Sequence, residues 1–109
     1  MDENRISADM PGEELRSALN AECGKLEWKE LEKHFARGVV IKVRAEIDLI
    51  EVAVAMVKDD KDKIEACMSK GEIVNASTQD ARDWNDSNAM FWAIVVAPWV
   101  LVQEVKEAS

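Results

Sequence analysis

The hydrophobic pattern of the chain is strongest near the C-terminus, where residues 91–104 contain no charged side chain before Glu104. Both alternating sets of positions are apolar, and β-branched and aromatic residues, which favour a pleated and buried backbone, are frequent. Pro98 cannot donate a main-chain hydrogen bond and belongs at an edge, a bend or a bulge. The pattern predicts strand segments at about 92–97 and 99–104 with a bend at Pro98. A buried helix kinked at this proline is the alternative.

Two shorter segments also have the character of strands. Residues 39–44 alternate at their centre, with Ile41 and Val43 on one face and Lys42 and Arg44 on the other. Such contrast is typical of a strand that is half exposed, here at a sheet edge protected by its cations. The segment 72–75 is a candidate third strand. We expect 39–44 to pair antiparallel with one half of 92–104.

Helical spacing of apolar residues dominates the rest of the chain. It predicts a helix over about 13–26, a break near Glu27, and a second helix that ends before Gly38. Asp48 and Ser77, each with an acidic residue three positions later, are typical N-cap residues. A strand over 52–57 is the alternative to the helix that follows Asp48. The predicted helices are about 13–26, 28–37, 49–58, 61–70 and 77–86.

These elements predict an α+β fold, with four to five helices packed on a small, mainly antiparallel sheet. The 109 residues match the commonest size of one domain and suffice for a core without disulfides or metals. Residues 1–12 are acidic, poor in apolar side chains, and end in a Pro-Gly turn signal. We therefore expect a flexible acidic N-terminal tail at 1–12 and a single domain at 13–109.

The net charge of −8 opposes binding to nucleic acids and anionic membranes, because both depend on an excess of Lys and Arg. Two cysteines, Cys23 and Cys67, lie 44 positions apart without zinc-ligand spacing. The N-terminus has no apolar segment typical of a signal peptide. These features predict a cytoplasmic protein without a metal or a cofactor.

Catalytic motifs are missing from the sequence. His34 is the only histidine, and no nucleophile motif surrounds it, so a half-exposed side chain paired with Glu30 explains it best. The acidic run Asp59, Asp60 and Asp62 lacks the glycine and the distal glutamate of a calcium loop, which indicates a solvated turn. The sequence therefore leans against an enzyme without deciding the question.

Two groups of residues remain as candidate sites. Arg37, Lys42 and Arg44 form a local cationic cluster that would hold a small anion, unless it is the outer face of an edge strand. Trp92, Trp99 and Val100 are candidates for a protein interface, since tryptophan is enriched at such interfaces. An ordinary core with large residues is the alternative for this second group.

Several segments together resemble a known family. They include Trp28-Lys29-Glu30-Leu31, Phe35-Ala36-Arg37-Gly38-Val39-Val40 and above all Trp92-Ala93-Ile94-Val95-Val96-Ala97-Pro98-Trp99-Val100-Leu101-Val102-Gln103-Glu104. Over about residues 15–105 the chain is similar to a family of small bacterial proteins catalogued as a domain of unknown function. The resemblance implies a stand-alone bacterial protein, and it implies no activity, cofactor or site residue.

The function that the residues favour is a small interaction or regulatory module that binds a protein partner or a second copy of itself through the C-terminal aromatic strand. The alternative is a protein or enzyme that binds a small anion or metabolite at the cluster of Arg37, Lys42 and Arg44.

Overall fold

The computed structural model describes residues 9–105. Its elements are five helices and five strands: α1 (Gly12–Glu22), β1 (Gly24–Glu27), α2 (Trp28–Ala36), β2 (Val40–Val43), α3 (Leu49–Val57), α4 (Lys61–Ser69), β3 (Ile73–Asn75), α5 (Thr78–Ser87), β4 (Met90–Val96) and β5 (Trp99–Glu104). The α+β class is confirmed. The predicted tail falls mostly on residues 1–8, which lie outside the described residues. Of the predicted tail, Met10 is among the described residues: it packs against the core, and its carbonyl accepts a hydrogen bond from Lys58 Nζ at 3.0 Å.

The five strands form one mixed sheet in the order β1-β4-β5-β2-β3. The pairs β1–β4, β4–β5 and β2–β3 are antiparallel, whereas β2 and β5 are parallel, with Ile41 opposite Leu101. The prediction that residues 39–44 pair antiparallel with one half of 92–104 is therefore wrong. Three helices and a strand lie between β2 and the β4–β5 pair, and a connection of that length permits the crossover that parallel strands need. β2 is also an interior strand, so it is not the predicted edge.

The two strand segments predicted around Pro98 are confirmed, but they fold into a tight hairpin instead of a bent strand. Val96 lies opposite Trp99, and the turn between them consists of Ala97 and Pro98, whose peptide bond is cis. The proline needs no ladder hydrogen bond at that position. Because β4 and β5 each have a neighbour on both sides, this hairpin forms the centre of the sheet.

The strand β1 corrects the prediction of a continuous helix over 13–26. The helix α1 ends at Glu22, and Cys23 already has an extended backbone. Leu26 belongs to β1, lies opposite Phe91 of β4, and packs its side chain against the core on the α2 and α5 face of the sheet. The apolar spacing that suggested a longer helix therefore arises from two elements placed end to end.

Local capping explains where most helices begin. The Asp48 carboxylate accepts hydrogen bonds from the main-chain N–H groups of Ile50 and Glu51, and Asp60 caps α4 through Lys63 N–H. Ser77 and Asp80 form a reciprocal capping box at α5, as the sequence predicts. Gly71 follows α4 with a φ of 72°, a conformation that glycine adopts at low cost.

Helices cover both faces of the sheet. One face packs against α1, α3 and α4, and its buried residues include Leu15, Leu19, Val52, Ile94 and Leu101. The other face packs against α2 and α5 around an aromatic cluster of Trp28, Phe35, Trp84 and Phe91. The indole N–H of Trp28 is buried there without a hydrogen-bond acceptor. Alternation along β4 and β5 assigns their side chains to the two faces in turn, which explains why both sets of positions are apolar.

Candidate functional site

A largely apolar cavity of about 440 Å³ opens at the turn end of the β4–β5 hairpin, on the sheet face covered by α3 and α4. We call it the hairpin groove. Its volume lies within the range of ligand and side-chain pockets. Its walls and floor include Ile41, Ile64, Met68, Asn75, Pro98 and Trp99.

One face of α4 forms a wall of the hairpin groove. Lys61, Ile64, Glu65 and Met68 all line it, and their spacing of three and four residues places them on the same side of a helix. Cys67 lies beside this face and is buried in the core. Because the sheet covers this side of α4 incompletely, Met68 remains 52% exposed. The groove therefore presents apolar side chains that a further molecule has room to contact.

The chemistry of the groove is that of a docking surface. Aliphatic, thioether and indole groups line its interior, while Asp59, Lys61 and Glu65 contribute charges to its lining. Two methionines, Met56 and Met68, contribute flexible and polarizable side chains, which adapt to irregular partners. Such a lining suits binding by shape and by burial of apolar surface.

The three interface candidates from the sequence occupy different environments. Trp99 is half-buried and lines the hairpin groove. Trp92 is 40% exposed on the same face of the hairpin but near its open end, where Lys25 Nζ lies 5.0 Å from the centre of the indole ring. Trp99 lies opposite Val96, which is four positions along β4 from Trp92, so the two tryptophan positions are about 13 Å apart along the strand. They belong to separate surfaces.

Val100 is 2% exposed and packs on the opposite face, against α2 and α5. Neighbouring residues of a strand point to opposite sides, so the placement of Trp99 in the groove puts Val100 in the core. Val100 therefore contributes to the core under α2 and α5 and not to the hairpin groove.

Two of the three cationic candidates have acidic partners. Lys42 Nζ lies 2.8 Å from Asp80 Oδ1, a carboxylate supplied by α5, and Arg44 pairs with Glu46. Arg37 is exposed at the C-terminal cap of α2. None of the three lines the hairpin groove or the second cavity described below. The structure thus gives two of these cations a carboxylate partner already, which leaves less charge for a small anion.

The pairing of Asp80 predicts a stability that depends on pH. Burial raises the pKa of Asp80, but hydrogen bonds from Lys42 and Ser77 outweigh it, so the pKa lies below its ordinary value. A lowered pKa in the folded state contributes stability above the unfolded-state pKa, and this contribution is lost as the pH falls through the folded-state value. We expect Asp80→Asn to cost about 1 kcal/mol at pH 7, and we expect this cost to shrink below about pH 4. Urea unfolding at several pH values measures it.

Asp83→Asn is the matched control for that experiment, because Asp83 lies on the same helix, is exposed, and contacts only Gln79 among the described hydrogen bonds. Its cost should stay within about 0.5 kcal/mol at every pH. Equal costs for the two variants would show that the contact with Lys42 adds nothing to stability.

A second cavity, of about 480 Å³, lies at the other end of the same sheet face and is lined by Cys23, Asp48, Trp92 and Gln103 among others. Burial raises the pKa of the Cys23 thiol, which keeps it protonated near neutral pH. The Asp48 carboxylate is engaged in capping α3, and the Gln103 amide donates to the carbonyls of Arg44 and Ile47. The Asp48 carboxylate and the Gln103 amide of this cavity are therefore already engaged in hydrogen bonds that stabilise the fold.

The remaining titratable candidates do not assemble into a reactive centre. His34 lies half-buried in the last turn of α2. Asp59 and Asp60 form the turn between α3 and α4, as the sequence predicts for a charged turn. Within residues 9–105, no group of three or more His, Cys, Asp or Glu side chains could hold a metal ion. No helix in that part of the chain is long and apolar enough to cross a membrane.

Sequence reasoning identified Trp99 but missed the other walls of the groove. The hydrophobic pattern assigned Ile64 and Met68 to the core together with Cys67, since all three are apolar and near each other on α4. The overlooked signal is the pattern of Lys61, Ile64, Glu65 and Met68, in which charged and apolar residues share one helix face. Such a mixed face is typical of a wall that is only partly covered.

Comparison with known proteins places the chain in a family. No curated protein matches it. The solution NMR structure of the protein PA1075 from Pseudomonas aeruginosa is similar, with 37% sequence identity and a TM-score of 0.76 over 93% of this chain and 94% of that one. The family described as "Protein of unknown function (DUF2288)" matches residues 14–104. The match spans nearly the whole described domain, and the chain therefore belongs to this family of proteins of unknown function.

Proposed function

We propose that this protein is a small interaction module that binds an apolar segment of a protein partner in the hairpin groove. The observation that carries the proposal is a concave site that contains the exposed Met68 and the half-buried Trp99, beside a sheet that helices otherwise cover on both faces. Tryptophan and methionine are enriched at protein interfaces. The net charge of −8 and the two free cysteines suit a protein that works in a reducing cytoplasm.

A second copy of the protein is one candidate partner, because two copies would present two hairpin grooves to each other. The net charge of −8 on each copy opposes it through like-charge repulsion. A partner with positive charge meets no such cost. We therefore favour a different protein over a second copy, and sedimentation velocity at low and high salt separates the two cases.

The alternative of a small-anion site at Arg37, Lys42 and Arg44 has less support. Lys42 and Arg44 are already paired with carboxylates, and a bound anion would have to displace Asp80 and Glu46. The groove offers an apolar surface that needs no such exchange.

Met68→Glu should abolish the proposed binding while the protein stays folded. The side chain is 52% exposed on a helix, where glutamate is a good helix former, but the new carboxylate would be desolvated when a partner fills the groove. With peptides selected from a phage-displayed random dodecapeptide library on the wild-type protein, we expect at least about tenfold weaker binding, or about 1.4 kcal/mol. Fluorescence anisotropy of the labelled synthetic peptides measures the affinity.

Met90→Glu is the matched control, since Met90 is a partly exposed methionine at the start of β4, away from the groove. It should leave peptide affinity within about twofold of the wild type. Selected peptides that bind Met68→Glu as tightly as the wild type would refute the groove as the binding face. A native mass spectrum that shows a retained small molecule, released by Met68→Glu, would also refute a protein partner.

A further inference from the structure

The hairpin groove opens beside a free edge of the sheet. β3 is the last strand in the order β1-β4-β5-β2-β3, so only one of its sides pairs with another strand. Arg44 N–H donates to the Glu72 carbonyl at 2.9 Å, and Ala76 N–H donates to the Val40 carbonyl at 3.1 Å. In an antiparallel ladder, paired residues alternate between those that exchange hydrogen bonds and those that do not. The Glu72 carbonyl, the Ala76 N–H and, between them, both main-chain groups of Val74 are therefore directed at β2.

The intervening residues Ile73 and Asn75 point their main-chain N–H and C=O groups away from β2, toward the open edge. Ile73 is only 3% exposed, so its groups are out of reach. Asn75 is exposed. It also lines the hairpin groove together with Met68 and Trp99. One residue thus combines an accessible pair of main-chain hydrogen-bonding groups with a place in the apolar groove.

We infer that the partner binds as an extended strand that pairs with the main chain at Asn75 and places one apolar side chain in the hairpin groove. This inference rests on the proposed function and specifies the shape of its ligand. Pairing to an open sheet edge is a general mode of peptide recognition, in which main-chain hydrogen bonds supply affinity and pockets supply specificity. A residue opposite Asn75 points its side chain to the same face as Asn75, which is the face of the groove.

The charges around the groove specify the flanking residues of that strand. Asp59 and Glu65 outnumber Lys61 in the lining, and the whole protein carries −8. A strand with Lys or Arg beside its apolar residue is attracted to such a site, whereas an acidic strand is repelled. The inferred ligand class is therefore an extended, basic and apolar peptide segment.

Asn75→Pro tests the strand pairing without changing the groove walls on α4 and the hairpin. Proline removes the outward N–H of Asn75, and proline is tolerated where the N–H of an edge strand faces solvent. The matched control is Asn75→Ala, which removes the side chain but keeps the N–H. With the synthetic peptides selected on the wild-type protein, we expect Asn75→Pro to bind about fivefold more weakly than Asn75→Ala, as for one lost hydrogen bond.

Amide hydrogen exchange of the wild-type protein gives an independent measurement. Bound peptide should slow exchange of the Asn75 amide by at least about tenfold, while the Val74 amide, which already faces β2, should change little. If Met68→Glu abolishes binding but Asn75→Pro binds like Asn75→Ala and the Asn75 amide stays unprotected, strand pairing is wrong and groove binding stands. If Met68→Glu has no effect, the proposed function itself fails. Selected peptides that are predominantly acidic would overturn the inferred ligand class.

Discussion

Replacing Phe91 with alanine should lower the free energy of unfolding by about 3–5 kcal/mol. Phe91 is fully buried at the centre of the cluster beneath α2 and α5, and its ring meets that of Trp84 edge to face with the centroids 4.8 Å apart. The substitution would remove this aromatic contact and leave a cavity where α5 packs against β4. Urea unfolding followed by tryptophan fluorescence and circular dichroism measures the loss.

Val95→Ala is the control for Phe91→Ala, because Val95 lies on the same strand and the same face but is 63% exposed. Its cost should stay within about 0.5 kcal/mol. A loss for Phe91→Ala no greater than that of Val95→Ala would mean that the aromatic cluster does not hold α5 on the sheet. Since a domain of this size is stable by only about 5–15 kcal/mol, the expected loss is a large share of the total.

Leu101→Ala should cost about 2–5 kcal/mol by acting on the other face of the same hairpin. Leu101 is fully buried in the central strand β5, where it lies opposite Ile94 of β4 and Ile41 of β2. Truncation would open a cavity among the side chains that hold α1 and α3 on the sheet. The same urea titration measures the loss, and an unchanged slope would show that unfolding remains cooperative.

The control for Leu101→Ala is Val74→Ala, a substitution at a partly exposed position of the edge strand β3, with an expected cost below about 1 kcal/mol. If both large predictions hold, the hairpin is fixed by two separate cores, one on each face. If Leu101→Ala proved mild, α1 and α3 would be loosely attached, and the groove between α4 and the hairpin would lose its rigid floor.

Much of the fold was predictable because local signals agreed with the final structure. Asp48 and Ser77 are typical cap residues, and they begin α3 and α5 as expected. The two-sided apolar pattern around Pro98 predicted buried strands, and helices cover both faces of the hairpin. In each case the deciding interactions lie within a few residues of one another in the sequence, or depend on burial alone.

The predictions that were wrong or missed concern features that local sequence does not determine. The direction of β2 relative to β5 depends on how the intervening helices cross the sheet, and no residue of 39–44 encodes it. The strand β1 was hidden because Cys23 and Leu26 continue the apolar spacing of α1 by coincidence. The ion pair between Lys42 and Asp80 was not predictable from local sequence, since the two residues are 38 positions apart.

The candidate site was predictable only in part for the same reason. Trp99 was identifiable as a large aromatic residue beside a turn. Its partners Met68 and Asn75 come from a helix and an edge strand whose position against the hairpin depends on tertiary packing. Whether an apolar side chain is buried or forms the wall of a groove depends on how completely its neighbours cover it.

The central position of the β4–β5 hairpin has a consequence for synthesis on the ribosome. The two middle strands are the last elements of the domain to be made, and before they emerge β1 has no strand to pair with and β2 has only β3. Neither core can close on the nascent chain until the hairpin is available, which takes about 1–3 seconds of further elongation. During that interval the apolar helix faces that pack on β4 and β5 have no sheet to cover them, so residues 90–104 complete both cores at once.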